Sequence, residues 1–399
     1  MRRAQSLLRH HRWMFQRLFV AAAASPVCSF SVKAIDRPAA EFINANVKLE
    51  WLLTAQFLTA GSIQKLKHTP SAPFIPPDAG EGAAIHPWDW TAISCNLPAM
   101  AVDIPFRREF SFEYGRLEPV APGVRRIVAR NPSPFTFRGT GTYVIGSGEV
   151  AVIDPGPDLT EHVEALLAGL SGERVTQILI THTHRDHSPA AAALKAATGA
   201  ATWGYGPHAG GKRGDPGVEE GGDWDFVPDV TVGDGEVIAG KGWRFEAVHT
   251  PGHTSNHLCF ALPDSGILFS GDHVMGWSTS VISPPDGDMA AYLASLDKLL
   301  GRRDSVYWPT HGPAITEPQR HVLAFIAHRR EREAGILDCL SAGVGHIDEI
   351  VERLYVGLEP GLHRAAGRSV HAHLIDLVSR GVVASDGPPT LDARYSLQS

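Results

Sequence analysis

The sequence is poor in cysteine and has no long apolar run. Its cysteines are Cys28, Cys95, Cys259 and Cys339. They include no C-x-x-C pair, so they do not form a zinc-ribbon pattern, and four scattered cysteines in a chain this long argue against a disulfide framework. Because no apolar stretch approaches the roughly 18–20 residues of a membrane span, we expect no such span. An excess of basic residues is also missing, since 36 Lys and Arg face 43 Asp and Glu for a net charge of -7. That balance argues against a protein that coats nucleic acid.

Histidine, in contrast, is abundant, with 20 residues in the chain. Histidine is the commonest transition-metal ligand and titrates near neutral pH, so a cluster of these residues would indicate a metal or catalytic site. The chain has 399 residues, 43% of them hydrophobic and 20% charged. This length and composition are typical of two or three globular domains with buried cores.

The first part of the chain differs from the rest in charge. Residues 1–99 hold 10 basic and 6 acidic residues, whereas residues 100–399 hold 26 and 37, a net charge of -11. The first 35 residues contain no acid, which is typical of organelle-import segments. We predict that residues 1–99 are an N-terminal extension. Three interpretations stay open: a targeting peptide, a linker or small accessory region, or a segment that is not naturally translated. The expected compartment is the cytoplasm, or the mitochondrion if the extension is a targeting peptide.

From about residue 106 the pattern predicts alternating strands and helices. Glu149–Ile153 and Val175–Ile180 are apolar runs typical of buried strands, and Leu159–Leu170 has helical spacing. Further strands are expected at 142–145, 229–232, 243–248, 257–262 and 266–269, and further helices at 189–198 and 288–300. This order predicts an α/β domain over residues 106–315, with sheet in both halves.

After Pro318 the pattern becomes helical. Helices are predicted at 319–340, 346–354 and 361–380, followed by short strands at 382–384 and 393–396. Three helices followed by a β-hairpin is the order of a winged-helix module, which we predict over residues 319–399. Residues 325–399 hold 8 basic and 10 acidic residues. Such a module more readily packs on the preceding α/β domain or forms a homodimer than it binds nucleic acid.

The histidines cluster where predicted strands end. Directly after the strand at 175–180 the chain reads T-H-T-H-R-D-H, with three histidines and one aspartate within six residues. The segments T-P-G-H-T at 250–254, F-S-G-D-H at 269–273 and P-T-H-G-P at 309–313 also follow predicted strands. A His-rich polar loop would not recur at four strand ends. Nitrogen and oxygen ligands without a thiolate suit zinc, iron or manganese.

These motifs, in this order, resemble the metallo-β-lactamase fold superfamily over about residues 115–315. The resemblance implies a four-layer αββα sandwich and a hydroxide that bridges two divalent metal ions. By that resemblance, His182, His184 and His253 would hold one metal, Asp186, His187 and His311 the second, and Asp272 both. Asp186 and Asp272 are the residues to which we assign catalysis. Two nearby cations lower the pKa of a shared water and neutralise developing negative charge. Zinc is the expected metal, with manganese and iron as alternatives.

Three further residues are candidate neighbours of the ligands. Asp154, in V-I-D-P-G, matches the superfamily's early aspartate, which is implied to accept a hydrogen bond from a ligand imidazole. His257 lies four residues after His253, and either a structural role or a substrate contact is open for it. His273 follows Asp272, and either packing or proton donation to a leaving group is open.

A narrower resemblance extends over about residues 115–397. The segment N-P-S-P-F-T at 131–136 and G-T-G-T-Y at 139–143 are similar to the start of the β-lactamase-like protein 2 group. Arg185, H-R-R-E-R-E at 328–333 and the winged-helix module also match that group. The best-known member of that group has Asn at the position of Gly141 and Cys at the position of His273. Animal members of the group are single-strand-specific endoribonucleases.

Three functions are weighed on these grounds. The first is a dinuclear metal-dependent hydrolase of phosphodiesters, with single-stranded RNA as substrate. The second uses the same site on a thioester, lactone or other small acyl compound, as glyoxalase II does. The third is a non-enzymatic regulator built on a relic hydrolase, which is disfavoured because all seven ligand positions are retained. Lactam hydrolysis is disfavoured because no substrate-binding Lys lies near His311.

Overall fold

Residues 103–211 and 221–398 are the part of the chain that the computed structural model describes. They lie within one structural unit, residues 94–399. The N-terminal extension predicted over residues 1–99 lies outside the described residues. No described helix combines the length and the apolar character that crossing a membrane requires.

A seven-stranded sheet forms the first half of the α/β domain, with the strands in chain order across it. Its strands are β1 Glu118–Ala121, β2 Val124–Val128, β3 Gly141–Ser147, β4 Glu149–Ile153, β5 Arg174–Leu179, β6 Ala201–Gly204 and β7 Val230–Thr231. The pairs from β1 to β4 are antiparallel, and those from β4 to β7 are parallel. Helices α1 (Thr160–Gly169) and α2 (Ala190–Thr198) connect parallel strands and pack Leu166 and Leu194 onto the outer face.

A five-stranded sheet forms the second half, in the order β12-β11-β10-β9-β8. Its strands are β8 Val237–Gly240, β9 Trp243–His249, β10 Leu258–Leu262, β11 Ile267–Gly271 and β12 Val306–Pro309, with a 3-10 turn at Pro263–Ser265. Only the β11–β12 pair is parallel, and α3 (Met289–Leu300) connects the two strands. Tyr292 and Leu296 of α3 pack on its outer face, as does Phe325 of α4 (Pro318–Ser341).

The two sheets face each other across a shared apolar core. Tyr143 and Ile153 from the first sheet pack with Phe245, Phe260 and Phe269 from the second. Because each sheet is covered on both faces, central strands such as β4 are apolar almost throughout. This arrangement confirms the predicted four-layer αββα sandwich.

The C-terminal domain contains α5 (Ile347–Leu354), a 3-10 turn (Pro360–Leu362), α6 (His363–Ser379) and a hairpin of β13 (Val383–Ser385) and β14 (Tyr395–Leu397). It has no separate linker, because the 24-residue helix α4 belongs to both cores. Val322 and Phe325 in its first half pack in the α/β domain, whereas Ile336 and Leu340 in its second half pack with α5 and α6.

Five strands have no predicted range, namely β1, β2, β6, β8 and β12, although the sequence predicts a strand of unspecified length before P-T-H-G-P. Three of them, namely β1, β6 and β8, are only four residues long and contain polar or exposed residues. Two of these, β1 and β8, lie at a sheet edge. Short strands of that kind lack the periodicity on which the prediction depends. The predicted strand at 229–232 is present but shortens to the two residues of β7.

Candidate metal centre

The predicted ligand residues meet at the carboxyl ends of four strands. The loop after β5 carries His182, His184, Asp186 and His187, and the turn between β9 and β10 carries His253. Asp272 follows β11, and His311 follows β12. All seven side chains are buried or nearly so, and their nitrogen and oxygen atoms form overlapping groups within 4.8 Å.

Three imidazoles form the first of these groups. The Nδ1 atom of His184 lies 3.1 Å from Nε2 of His182 and 3.2 Å from Nε2 of His253. The second group joins Asp186, His187 and His311, and a third joins Asp272 to His182 and His187. The first two groups contain the same residues as the two ligand sets expected from the sequence, whereas the third joins Asp272 to one histidine from each set.

Hydrogen bonds on the far side of two rings determine which nitrogens face the first group. Thr181 donates its hydroxyl proton to Asp154 Oδ2, so its oxygen accepts from Nδ1 of His182, at 3.0 Å. His253 Nδ1 donates to the carbonyl of Val281 at 2.7 Å. Both Nε2 atoms therefore present lone pairs toward His184. Converging lone pairs of this kind fit a cation between the rings.

Two carboxylates, those of Asp186 and Asp272, lie close to the histidines of the second group. His311 Nε2 lies 3.2 Å from Oδ2 of both Asp186 and Asp272, and His187 Nε2 lies 3.3 Å and 3.5 Å from the same two oxygens. His253 Nε2 is 4.0 Å from Asp272 Oδ2. Asp272 therefore lies between the two histidine groups.

The charge of the second group also fits a bound cation. Although burial opposes the charged ring, the carboxylates of Asp272 and Asp186 raise the pKa of His311 to about 10. A site that holds an extra proton this strongly has the negative potential to hold a metal ion in its place. His187 Nε2 and Asp272 Oδ1 are buried without a hydrogen-bond partner among the described residues, as ligand atoms would be.

Asp154 supports the site from behind. Its Oδ2 accepts from Nδ1 of His187 at 2.9 Å, and its Oδ1 accepts from the backbone amide of Thr181 at 2.8 Å. Thr310, beside His311, also donates its hydroxyl to Oδ2 at 3.2 Å. One buried carboxylate thus orients residues after β5 and after β12, in the way that ligand-supporting carboxylates orient metal-bound histidines.

Thr140 and Asn131 are supporting residues that sequence reasoning did not single out. Thr140 donates its hydroxyl to Oδ2 of Asp186 at 2.9 Å. Asn131 in turn donates its amide to the Thr140 hydroxyl and accepts from the Thr140 backbone amide, both at 2.9 Å. The N-P-S-P-F-T and G-T-G-T-Y motifs contain these two residues, but the motifs alone give no contact with Asp186.

The two further histidines play different parts in the structure. His257 Nδ1 contacts the Thr250 hydroxyl at 2.9 Å, and its Nε2 accepts from the backbone amide of Asp272 at 3.2 Å. This contact orients Asp272. His273 packs against the ring of Tyr292, with centroids 4.6 Å apart, and neither of its nitrogens has a hydrogen-bond partner among the described residues. Burial lowers the pKa of His273 to about 3.

Comparison with known protein families agrees with this geometry. Residues 136–311 match the model of the metallo-beta-lactamase superfamily, and residues 347–388 match the beta-lactamase associated winged helix domain. The first match ends at His311 and thus spans the seven residues of the site. The second covers α5, α6 and the first strand of the hairpin, which confirms the predicted winged-helix module.

Individual relatives support the same assignment. The chain is 31% identical to a beta-lactamase-like protein 2 homolog of Caenorhabditis elegans, over 67% of this chain and 88% of that protein. It is 30% identical to an atrochrysone carboxyl ACP thioesterase of Cryptosporiopsis sp., over 56% of this chain and 65% of that protein. The structure of a metallo-beta-lactamase family protein from Thermus thermophilus matches 69% of this chain and 99% of its own, with 25% identity and a TM-score of 0.57.

The strand-end cluster of histidines and aspartates, the sandwich that carries it and these matches lead to one assignment. The chain belongs to the metallo-beta-lactamase superfamily, as a hydrolase with a C-terminal beta-lactamase-associated winged-helix domain.

Proposed function

We propose that this hydrolase is dinuclear. The observation that carries the proposal is the position of Asp272 between the histidine group of the first site and the mixed group of the second. In this proposal His182, His184 and His253 hold one ion, Asp186, His187 and His311 hold the other, and Asp272 bridges them. Zinc fits a donor set of imidazole nitrogens and carboxylate oxygens, with manganese and iron as alternatives.

Two bound ions would supply an activated bridging hydroxide and would stabilise negative charge on the scissile group. Other residues of the chain orient the side chains that would hold these ions. Asp154 orients His187, the carbonyl of Val281 orients His253, and Thr140 orients Asp186. Because these supports are buried, the site is pre-organised before substrate arrives.

Acyl thioesters are the substrate class that we propose. A relative with 30% identity is named as an acyl-carrier-protein thioesterase, and its match covers 56% of this chain. The net charge of -11 over residues 100–399 also disfavours a polyanionic substrate.

Association into a homodimer and a cytoplasmic or mitochondrial location stay predictions.

Single-stranded RNA is the second candidate, favoured by a group of aromatic and arginine residues near His311. Phe137 stacks on Trp277 with ring centroids 4.8 Å apart, and Gly139, two residues further on, accepts a hydrogen bond from His311. Arg138 lies over the Phe137 ring at 5.4 Å, and Arg130 lies over Tyr114 at 4.3 Å. Aromatic rings beside cations are the usual surface for unpaired bases.

The dinuclear site is tested with the variant Asp272→Ala. We expect two metal ions per wild-type chain, at most one in the variant, and loss of metal-dependent hydrolysis with the fold retained. Metal content after gel filtration and circular dichroism are the measurements. Asp264→Ala, at an exposed aspartate in a turn, is the matched control and should keep both ions. Two ions or full activity in Asp272→Ala would contradict the dinuclear site.

The substrate class is tested by assaying zinc- and manganese-loaded protein on three compounds. These are S-lactoylglutathione, a single-stranded RNA and a chromogenic lactam. Thioester turnover without RNA cleavage is the expected result, whereas RNA cleavage alone would replace the first candidate by the second. In that event Phe137→Ala should lower RNA cleavage about 5- to 150-fold, because base stacking contributes about 1–3 kcal/mol.

A further inference from the structure

We infer that Arg329, in the helix shared with the winged-helix domain, is a positioning residue for the metal ligands. It would act through residues Ser280–Pro284, which we call the supporting segment. The inference rests on the proposed function in so far as His253 and Asp272 are taken as metal ligands.

The supporting segment contacts both of these residues. The Ser280 hydroxyl lies 2.6 Å from the carbonyl oxygen of Asp272 and 2.9 Å from that of His273, and donates to them. The next carbonyl, that of Val281, accepts from His253 Nδ1 at 2.7 Å. Two successive residues therefore determine the backbone position of the proposed bridging ligand and the ring orientation of a terminal one.

Arg329 binds this segment from the other side. Its guanidinium donates to the carbonyl oxygen of Ser280, and its Cζ lies 5.3 Å from the centre of the Tyr292 ring. Tyr292 donates its own hydroxyl to the carbonyl of His273 at 3.0 Å. Arg329 is 3% exposed, and its guanidinium forms no salt bridge with a carboxylate among the residues that the structure describes. Burying a guanidinium on a backbone carbonyl is costly, which indicates that this contact has a use beyond stability.

The winged-helix domain adds a second contact with the same segment. Arg368 of α6 donates to the carbonyl of Pro284 at 3.3 Å. Arg329 lies between the two halves of α4, one of which packs in the catalytic core and the other in the C-terminal core. The C-terminal domain therefore holds the supporting segment at both ends, and its packing is transmitted to the metal centre through Ser280 and Val281.

The experiment compares Arg329→Met with two controls. Arg330→Met changes the exposed neighbour on the same helix. Ile336→Ala weakens the C-terminal core without contact with the supporting segment. The first readout is hydrogen exchange of the backbone amides of residues 280–283 and 286 in metal-free protein. The second is the affinity for each zinc ion, measured by competition with a chromogenic chelator.

We expect faster exchange of those amides and about 10- to 100-fold weaker binding of one zinc ion in Arg329→Met. Arg329→Lys, which keeps one donor, should recover part of both effects, and Arg330→Met should show neither. Unchanged exchange in Arg329→Met would overturn the inference, as would an equal effect in Ile336→Ala, which would reduce it to general destabilisation. Because exchange is measured without metal, a wild-type chain that binds no zinc would overturn the proposed function while leaving this readout decisive.

Discussion

At the scale of single residues, Asp154 combines an uncommon backbone with several buried contacts. Its φ is 47°, in the left-handed region that residues other than glycine seldom adopt. The carboxylate is fully buried and accepts from Thr181, His187 and Thr310. Strained residues of this kind persist where surrounding contacts hold them, and they are frequent at active sites.

The variants Asp154→Asn and Asp154→Ala separate the charge from the backbone conformation. Asn tolerates positive φ, so Asp154→Asn should fold normally and lose only the charged acceptor for His187. Zinc affinity should fall about 10- to 100-fold, as for other supporting carboxylates. Asp154→Ala should in addition lower the free energy of unfolding. Chelator competition and urea unfolding of metal-free protein measure the two effects, and wild-type zinc affinity in Asp154→Asn would rule out the supporting role.

At the scale of elements, the turn between β9 and β10 carries His253, and the backbone of this turn closely approaches α3. Gly252 has a φ of 135°, and a Cβ atom there would lie 2.3 Å from Cα of Tyr292. The Gly252 amide donates to the carbonyl of Thr254 at 3.0 Å, and the Gly252 carbonyl accepts from the amide of Asp288. The turn therefore packs directly on the start of α3.

Gly252→Ala should consequently displace both the turn and His253. We expect a loss of more than about 3 kcal/mol in unfolding free energy, since overpacking and positive φ both contribute. Gly242→Ala is the matched control, because its φ is 82° but no atom lies within 4 Å of the added Cβ. It should cost only about 1–2 kcal/mol. Urea unfolding compares the two, and equal losses would show that the contact with α3 is not limiting.

At the scale of the whole molecule, buried neutral histidines link stability to pH. His373 of α6 is 1% exposed, and burial together with the nearby Arg329 lowers its pKa to about 3. The unfolded chain binds a proton at this ring near pH 6.5, whereas the folded chain does not. The stabilisation is therefore complete above pH 6.5 and is lost as the pH falls toward 3.

His373→Leu removes this dependence. Between pH 7.5 and 5.0 the wild-type chain should lose about 2 kcal/mol more unfolding free energy than the variant, since each pH unit below 6.5 contributes about 1.4 kcal/mol. His346→Leu, at an exposed ring in the same domain, is the matched control for replacing a histidine by leucine. Urea unfolding of metal-free protein at both pH values is the measurement. Parallel declines in wild type and His373→Leu would disprove the linkage.

From the amino-acid sequence alone, apolar periodicity predicted an α/β domain with sheet in both halves, followed by the helix and hairpin order of a winged-helix module. The H-x-H-x-D-H, P-G-H, G-D-H and T-H-G motifs at strand ends predicted a metal site. The four-layer αββα sandwich and the division of the ligands between two metals were implied by the resemblance that these motifs carry. Edge strands such as β8 escaped prediction because they are short and half exposed.

Only the tertiary structure decided which groups support the site. Thr140 and Asp186 are 46 residues apart, and Arg329 and Ser280 are 49 apart. Their contacts depend on how the layers of the sandwich pack, and a local sequence pattern does not predict contacts between residues so far apart in the chain. The same holds for His257, whose ring accepts from the backbone of Asp272, and for the supporting segment that joins the C-terminal domain to His253. Side-chain type and spacing predict the ligand residues, whereas packing specifies the contacts that hold these side chains in place.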